Sequence, residues 1–234
     1  MATKLSPSDF KFLWKDCKHC YYRKIKDGIT PPAGAFPSVF TYMNNLLQNN
    51  IKGKNLQEIH PDLPNAIVEN IEGYLKSMPI PGAENYYISG RYDIVCRLDD
   101  GTYMIVDFKI MNPSEESLLG YATQLHAYKF ALENPTDPNK DPKLISQMGL
   151  ISIKPEDIRL DKGNIFFIAS PKFHKIEINM DDFFKTMNNI ATILDGPLPL
   201  PSESCKYCRY RQATAQIEGF LPVVYTNAQE ATSA

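Results

Sequence analysis

A β-hairpin signal near the middle of the chain constrains the fold more than any other feature of the sequence. Residues 88–98 are rich in Tyr, Ile and Val and predict a strand. The Asp-Asp-Gly sequence at 99–101 is typical of a tight turn, and residues 102–110 predict the returning strand. The chain is therefore expected to build a sheet around two antiparallel strands.

Three ionisable side chains converge if this hairpin forms. Asp93 lies on the first strand, and Asp107 and Lys109 lie on the second. Residues two apart in a strand share a face, so Asp107 and Lys109 point together while Phe108 points into the core. Two carboxylates with the Phe108 backbone carbonyl between them are oxygen ligands suited to Mg²⁺ or Mn²⁺. An Asp-x-Lys sequence alone is common by chance, but this pattern predicts metal-dependent phosphodiester hydrolysis, with Lys109 orienting water or offsetting charge on the phosphate.

A helix is predicted after the second strand. Residues 112–116 combine proline with acidic residues, as helix starts do, and an apolar stripe continues to Asn134-Pro135. Gln124 and Tyr128 are four residues apart and so lie on one face of this helix. That pair can hydrogen-bond a phosphate or a neighbouring base, and ordinary packing is the alternative interpretation.

Together these residues resemble the RecB-like branch of the PD-(D/E)xK nucleases, and are similar in this to CRISPR-associated and AddB-type iron–sulfur exonucleases. The matching positions, in order, are Gly90, Asp93, Asp107, Lys109, Gln124 and Tyr128. The resemblance implies an α/β fold with a central mixed sheet flanked by helices, a restriction-endonuclease-like core. It also implies that Asp93 and Asp107 are metal ligands and that Lys109 is the catalytic lysine. Gln124 and Tyr128 would support the site or the DNA.

The resemblance further implies an upstream histidine ligand, for which His60 is the candidate. Pro61 follows it, so His60 is expected in an extended or turn conformation, where a surface-loop histidine is the simpler alternative. A helix predicted over residues 65–77 carries Glu69 and Glu72, either of which could supply a carboxylate instead.

Two C-x-x-C pairs stand near opposite ends of the chain, Cys17 with Cys20 and Cys205 with Cys208. The sequence shows no signal peptide and no long apolar run, which predicts a cytoplasmic protein with reduced thiols. Four reduced thiols in two pairs predict one shared metal site that clips the two ends together. A redox-active pair is the alternative, but its thioredoxin-like context is absent.

Two kinds of metal centre fit this cysteine pattern. Four thiolates suit zinc or an iron–sulfur cluster. The RecB-like resemblance favours a [4Fe–4S] cluster. The arrangement familiar in that family is one upstream and three downstream cysteines, however, and Thr214 stands where a further cysteine would fall. Zinc therefore stays the alternative.

The overall charge limits how nucleic acid can be bound. The formal net charge of −2 excludes a globally basic protein, so contact must come from a local patch. Cations and aromatic rings surround both cysteine pairs and suit single-stranded DNA, with a solvated helix face as the alternative. The residues proposed for this patch are Lys4, Lys11, Lys15, Lys18, Tyr21, Tyr22, Arg23, Lys24 and Lys26 around the first pair, and Lys206, Tyr207, Arg209, Tyr210 and Arg211 around the second.

The chain of 234 residues is expected to form one nuclease domain over residues 1–224. Its core would span about 60–195, with cysteine-bearing segments at 1–30 and 197–212 and a disordered tail at 225–234. The predicted function is divalent-metal-dependent DNA cleavage in repair, recombination or CRISPR adaptation. Exonuclease action on single-stranded ends, and a helicase or CRISPR adaptation partner, come from the resemblance, and no membrane role is expected. A catalytically inactive nucleic-acid-binding module with a structural metal is the rival interpretation.

Overall fold

The computed structural model describes residues 2–32, 34, 37–111 and 113–217, and a six-stranded mixed sheet lies at its centre. In chain order the strands are β1 (Thr3–Leu5), β2 (Ile67–Ile80), β3 (Ala83–Arg97), β4 (Tyr103–Lys109), β5 (Ile145–Ser152), β6 (Pro155–Asp161), β7 (Asn164–Ala169) and β8 (Lys172–Lys175). The strand order is β1-β3-β4-β5-β8, with β2 also paired to β3. Strands β6 and β7 form a separate two-stranded hairpin.

The helices lie on the two faces of this sheet. They are α1 (Pro7–Asp9), a π-helical turn (Phe10–Trp14), α2 (Lys18–Asp27), α3 (Ser38–Ile51), a 3₁₀ turn (Leu56–Glu58), α4 (Glu115–Glu133), α5 (Met180–Asp195) and α6 (Lys206–Ile217). Strands β4 and β5 are parallel. A parallel pair needs a crossover connection, and α4 supplies it. The expected α/β architecture, a mixed sheet flanked by helices, is confirmed.

The predicted hairpin is present. Strands β3 and β4 pair antiparallel from Ile94↔Val106 to Arg97↔Tyr103. Gly101 in the turn has φ of 83°, a conformation that favours glycine, and Asp100 Oδ1 accepts the Thr102 N–H at 2.8 Å. The turn chemistry read from the sequence therefore sets the register that aligns β3 with β4.

Each face of the sheet has its own apolar core. Helices α4 and α5 cover one face, where Val95 and Ile105 pack against Leu125 and Ile190. The other face, with Met104 and Phe108, packs against the end of α3 and the 3₁₀ turn. Phe108, which separates Asp107 from Lys109 on β4, thus points away from both, as the alternation of the strand requires.

The helix predicted over residues 65–77 is wrong, because that segment forms most of β2. The strand pairs antiparallel with β3 from Ile67↔Arg97 onward. Val68 and Leu75 are buried in it, and the hydrogen bonds offered by β3 outweigh the local helical pattern.

Some expectations fall outside the described residues. Helix α4 begins after Ser114, whose hydroxyl accepts the Ser117 N–H at 3.3 Å, while Asn112 in the predicted helix start is not among the described positions. The tail predicted at 225–234 also lies outside them. The single-domain boundary stays a prediction.

Candidate functional site

Asp107 and Lys109 face the same side of β4, as the strand spacing predicts. The Lys109 ammonium contacts Asp107 Oδ2 directly, and the Asp107 side chain is only 3% exposed. Burial lowers the pKa of Lys109, but the charges of Asp107 and Asp93 outweigh burial and leave that pKa raised. The lysine is therefore held as a cation beside two carboxylates.

Asp93 joins this pair from the neighbouring strand. Its Oδ2 accepts the backbone N–H of Phe108 at 3.0 Å. Burial, and then the Asp107 charge, raise the pKa of Asp93 to about 7, against the opposing effects of Lys109 and the Phe108 N–H. The one lysine cation does not fully compensate two recessed carboxylates, so a further positive charge would stabilise the site.

The helix residues Gln124 and Tyr128 complete the arrangement. Gln124 Nε2 donates to Tyr128 Oη at 2.8 Å and to Asp107 Oδ1 at 3.4 Å. Gln124 Oε1 is buried and has no hydrogen-bond partner among the described residues. An unsatisfied oxygen beside two carboxylates fits a hydrated Mg²⁺ or Mn²⁺, whose waters would donate to it.

Glu72 lies opposite Asp93 in the β2–β3 pair. Its neighbours pair as Ile71↔Ile94 and Gly73↔Tyr92, which sets Glu72 across from Asp93. Its φ of 51° is in the left-handed region, where non-glycine residues are strained. Of the two carboxylates that the sequence offered as alternatives to His60, Glu72 is therefore placed next to the site, although by a strand and not by a helix.

His60 follows the 3₁₀ turn, where its Nδ1 accepts the Asp62 N–H at 3.3 Å. It does not form a metal-sized group with Asp93 and Asp107. Within the described part of the chain, the four paired cysteines form the one group of three or more candidate ligands close enough to share an ion. The ligand role of His60 stays a prediction.

The four paired cysteines meet in one buried cluster. Cys208 Sγ lies 3.6 Å from the Sγ atoms of both Cys17 and Cys20, and Cys20 Sγ lies 3.8 Å from Cys205 Sγ. All four sulfur atoms lie within 4.8 Å of one another. Burial raises the pKa of the Cys20 and Cys208 thiols, so a bound cation would be needed to keep these two as thiolates. The cluster can hold a metal, as the sequence predicted.

The sequence did not predict the support around this cluster. His19 Nδ1 lies 2.7 Å from the Pro199 carbonyl oxygen, and Arg211 Nη2 lies 2.8 Å from His19 Nε2. Arg211 also donates to Cys208 Sγ at 3.9 Å. His19 lies between the two cysteines of the first C-x-x-C pair, and this position in the sequence could have indicated that it supports the cluster. Arg211 is thus engaged with the cluster.

Only part of the proposed aromatic and basic patch is at the surface. Tyr21 is fully buried and packs edge-on against Trp14, so it cannot stack on a base. Tyr210 is 71% exposed. Beside it lies a cavity of ≈ 520 Å³ lined by residues that include Lys206 and Tyr207. The patch therefore loses Tyr21, whereas exposed residues lie on both sides of the cluster, namely Lys15, Lys18, Lys206, Arg209 and Tyr210.

None of the helices in the described residues combines the length and apolar character that a membrane crossing would require.

The chain was compared with known proteins. A solved structure described as "Crystal structure of SSO0001" is 15% identical with a TM-score of 0.44, and the match covers 97% of this chain and 89% of that one. A likeness at this level establishes neither the fold nor the function of this chain. The curated proteins gave no match. The family model of the PD-(D/E)XK nuclease superfamily, whose members are typically metal-dependent nucleases, matches residues 38–213, which span the hairpin, α4 and the second cysteine pair. The chain belongs to the PD-(D/E)XK nuclease superfamily.

Proposed function

We propose that this protein is a divalent-metal-dependent deoxyribonuclease of the RecB-like branch. The observation that carries the proposal is the convergence of Asp93, Asp107 and Lys109 at one face of the β3–β4 hairpin, with Lys109 paired to Asp107. A structural ion pair would not need a second recessed carboxylate beside it. A phosphodiesterase site does need one, since two carboxylates can hold a divalent cation.

Each residue has a definite role in this proposal. Asp93, Asp107 and the Phe108 carbonyl would hold Mg²⁺ or Mn²⁺. The bound metal would polarise the scissile phosphate and lower the pKa of a water molecule. Lys109, kept charged by its two carboxylate neighbours, would stabilise negative charge on the phosphate. Gln124 fixes the orientation of Asp107 and is itself held by Tyr128.

We further propose exonuclease action on single-stranded ends. The support is the RecB-like order of the motifs and the exposed cations and rings on α6, namely Lys206, Arg209 and Tyr210. Such a surface suits the phosphates and bases of an unpaired strand. Repair, recombination and CRISPR adaptation, with a helicase or an adaptation protein as partner, are the settings that the resemblance suggests.

The test is degradation of end-labelled linear and circular DNA, single- and double-stranded, with Mg²⁺ or Mn²⁺. We expect cleavage of linear single strands that needs the metal and disappears in Lys109→Ala, with DNA binding retained. Cleavage of circular DNA would contradict the exonuclease proposal but would leave the proposed nuclease function intact. DNA binding by metal-loaded wild type without cleavage would replace the nuclease with the binding-module alternative.

For the cysteine cluster we propose a single tetrahedral ion of the zinc type. Four thiolates at about 2.3 Å from one ion lie about 3.8 Å apart, and three sulfur pairs here are 3.6, 3.6 and 3.8 Å apart, with all four atoms within 4.8 Å of one another. A [4Fe–4S] cluster spreads its four thiolates over four irons and so needs a wider cage. The sulfur spacing therefore favours zinc over the iron–sulfur cluster suggested by the resemblance.

Anaerobic purification with metal analysis separates the two. We expect about one zinc per chain and a colourless protein, with the zinc lost in Cys205→Ser and kept in Cys96→Ser. A brown protein with broad absorption at about 400 nm and about four irons per chain would establish the cluster instead.

We also propose that metal binding by the four cysteines makes residues 1–224 one domain, because it joins the N-terminal and C-terminal segments that carry them.

A further inference from the structure

The side chain of Lys11 is positioned by three features that have no role in the site described so far. Lys11 lies on the π-helical turn Phe10–Trp14, and π-helical turns are rare and occur frequently at functional sites. The turn packs on α4, the helix that carries Gln124 and Tyr128. The rare backbone geometry thus occurs where the N-terminal segment meets the catalytic helix.

Gly120 on α4 leaves room for the lysine stem. A Cβ atom at this position would come 3.0 Å from Lys11 Cγ and 3.4 Å from its Cδ. Glycine inside a helix costs about 1 kcal/mol relative to alanine. The close approach of Lys11 accounts for a glycine at a position where helix propensity opposes it.

The Lys11 ammonium lies against the same aromatic ring as the Lys109 ammonium. Its Nζ lies 3.1 Å from the centroid of the Tyr121 ring, and Lys109 Nζ lies 5.0 Å from the same centroid. Two cations near one ring repel each other. Burial and the Lys109 charge accordingly lower the pKa of Lys11 to about 8. An arrangement that is unfavourable in the free protein becomes favourable when an anion binds to both cations.

Lys11 also has access to the surface. A cavity of ≈ 220 Å³ opens beside it, lined by residues that include Lys15 and Glu116, which form an exposed ion pair at 3.0 Å. A nucleic-acid strand entering here would reach Lys11 before it reached Lys109.

We propose that Lys11 binds the phosphate next to the scissile phosphate, so that the N-terminal segment forms part of the substrate site. The proposal rests on the proposed nuclease function. It assigns Lys11 to substrate binding, whereas Lys109 acts on the reacting phosphate. Loss of Lys11 should therefore raise KM more than it lowers kcat.

The test is binding of a fluorescent single-stranded oligonucleotide in buffer without Mg²⁺, at several salt concentrations. We expect Lys11→Met to weaken binding about fivefold and to reduce the slope of log K against log salt by about 0.7, the value for one lost phosphate contact on a single strand. Lys11→Arg should keep most of the slope. Lys175→Met, on the edge strand β8 and paired with Glu177, makes the same change of charge and should leave the slope unaltered.

Gly120→Ala provides a second measurement, in which weaker binding is expected without the loss of stability that misfolding would cause. Its Cβ should push the lysine stem aside and weaken binding, while helix propensity keeps or raises the melting temperature. Added to Lys11→Met, it should weaken binding no further. An unchanged salt slope in Lys11→Met, or fully additive effects of the two changes, would overturn the proposal. Absence of metal-dependent cleavage by wild type would instead overturn the proposed nuclease function.

Discussion

Glu72 and Asp93 face each other across the β2–β3 pair, and Glu72 adopts a strained left-handed conformation there. The Glu72 charge contributes to raising the pKa of Asp93. Backbone strain of this kind persists only when the surrounding structure enforces it, and it clusters at functional sites. We therefore predict that Glu72 takes part in divalent-metal binding, directly or through water.

Replacing Glu72 with glutamine should therefore weaken Mn²⁺ binding by at least about tenfold, the usual cost of losing a group that supports a metal ligand. Isothermal titration calorimetry measures the affinity. Glu69→Gln is the matched control, because Glu69 lies on the same strand but pairs with Lys143 at 2.7 Å. Equal losses in both variants would contradict a specific role for Glu72.

The raised pKa of Asp93 predicts a pH dependence of stability. A carboxyl group with a folded pKa of about 7 and an unfolded value of 3.8 favours the folded state below the lower value. That stabilisation is lost as the pH rises to about 7, at ~1.4 kcal/mol per pH unit at most. Without Mg²⁺, the melting temperature of wild type should fall across this range relative to Asp93→Asn.

At neutral pH, Mg²⁺ should raise the melting temperature of wild type, because the cation compensates the ionised Asp93 carboxylate. It should not raise the melting temperature of Asp93→Asn in this way. Differential scanning fluorimetry across the pH range measures both effects. A constant difference in melting temperature between the two proteins from about pH 4 to pH 8 would contradict the assignment.

Tyr128→Phe tests the support of the Asp107 carboxylate. The change removes the acceptor of the 2.8 Å bond from Gln124, whose amide also contacts Asp107. We expect a loss of about 1 kcal/mol in the free energy of unfolding, measured in urea, together with a lower kcat. A double-mutant cycle with Gln124→Leu should show coupling, and strictly additive effects would indicate that the two side chains act separately.

The basic surface on α6 gives a further comparison. Arg209 is exposed, whereas Arg211 is bonded to His19 beside the cysteines. Arg209→Glu should lower DNA affinity and flatten its salt dependence while the metal content stays unchanged. Arg211→Glu should also lower the metal content, since it disrupts the support of the cluster. Identical metal contents in the two variants would show that Arg211 gives no such support.

The hairpin, α4 and both motif carboxylates could be predicted because each depends on local chemistry. The turn residues 99–101 and the two-residue spacing of Asp107 and Lys109 specify their geometry without distant information. The identity of β2 could not be predicted, since its hydrogen bonds come from β3. Lys11 was predicted only as one of the basic residues beside the first cysteine pair, with no link to α4. Its proximity to Tyr121 arises only when residues 110 positions apart pack together.

The cysteine clip has a consequence for how the protein is made. Cys20 and Cys208 are 188 residues apart, so no growing chain can close the four-thiolate site until its last cysteine has left the ribosome. The segment that carries Lys11 lies directly before Cys17. Full metal loading would therefore report that synthesis has passed Cys208, and a chain truncated before position 205 would lack the anchor that joins its N-terminal segment to the rest of the molecule.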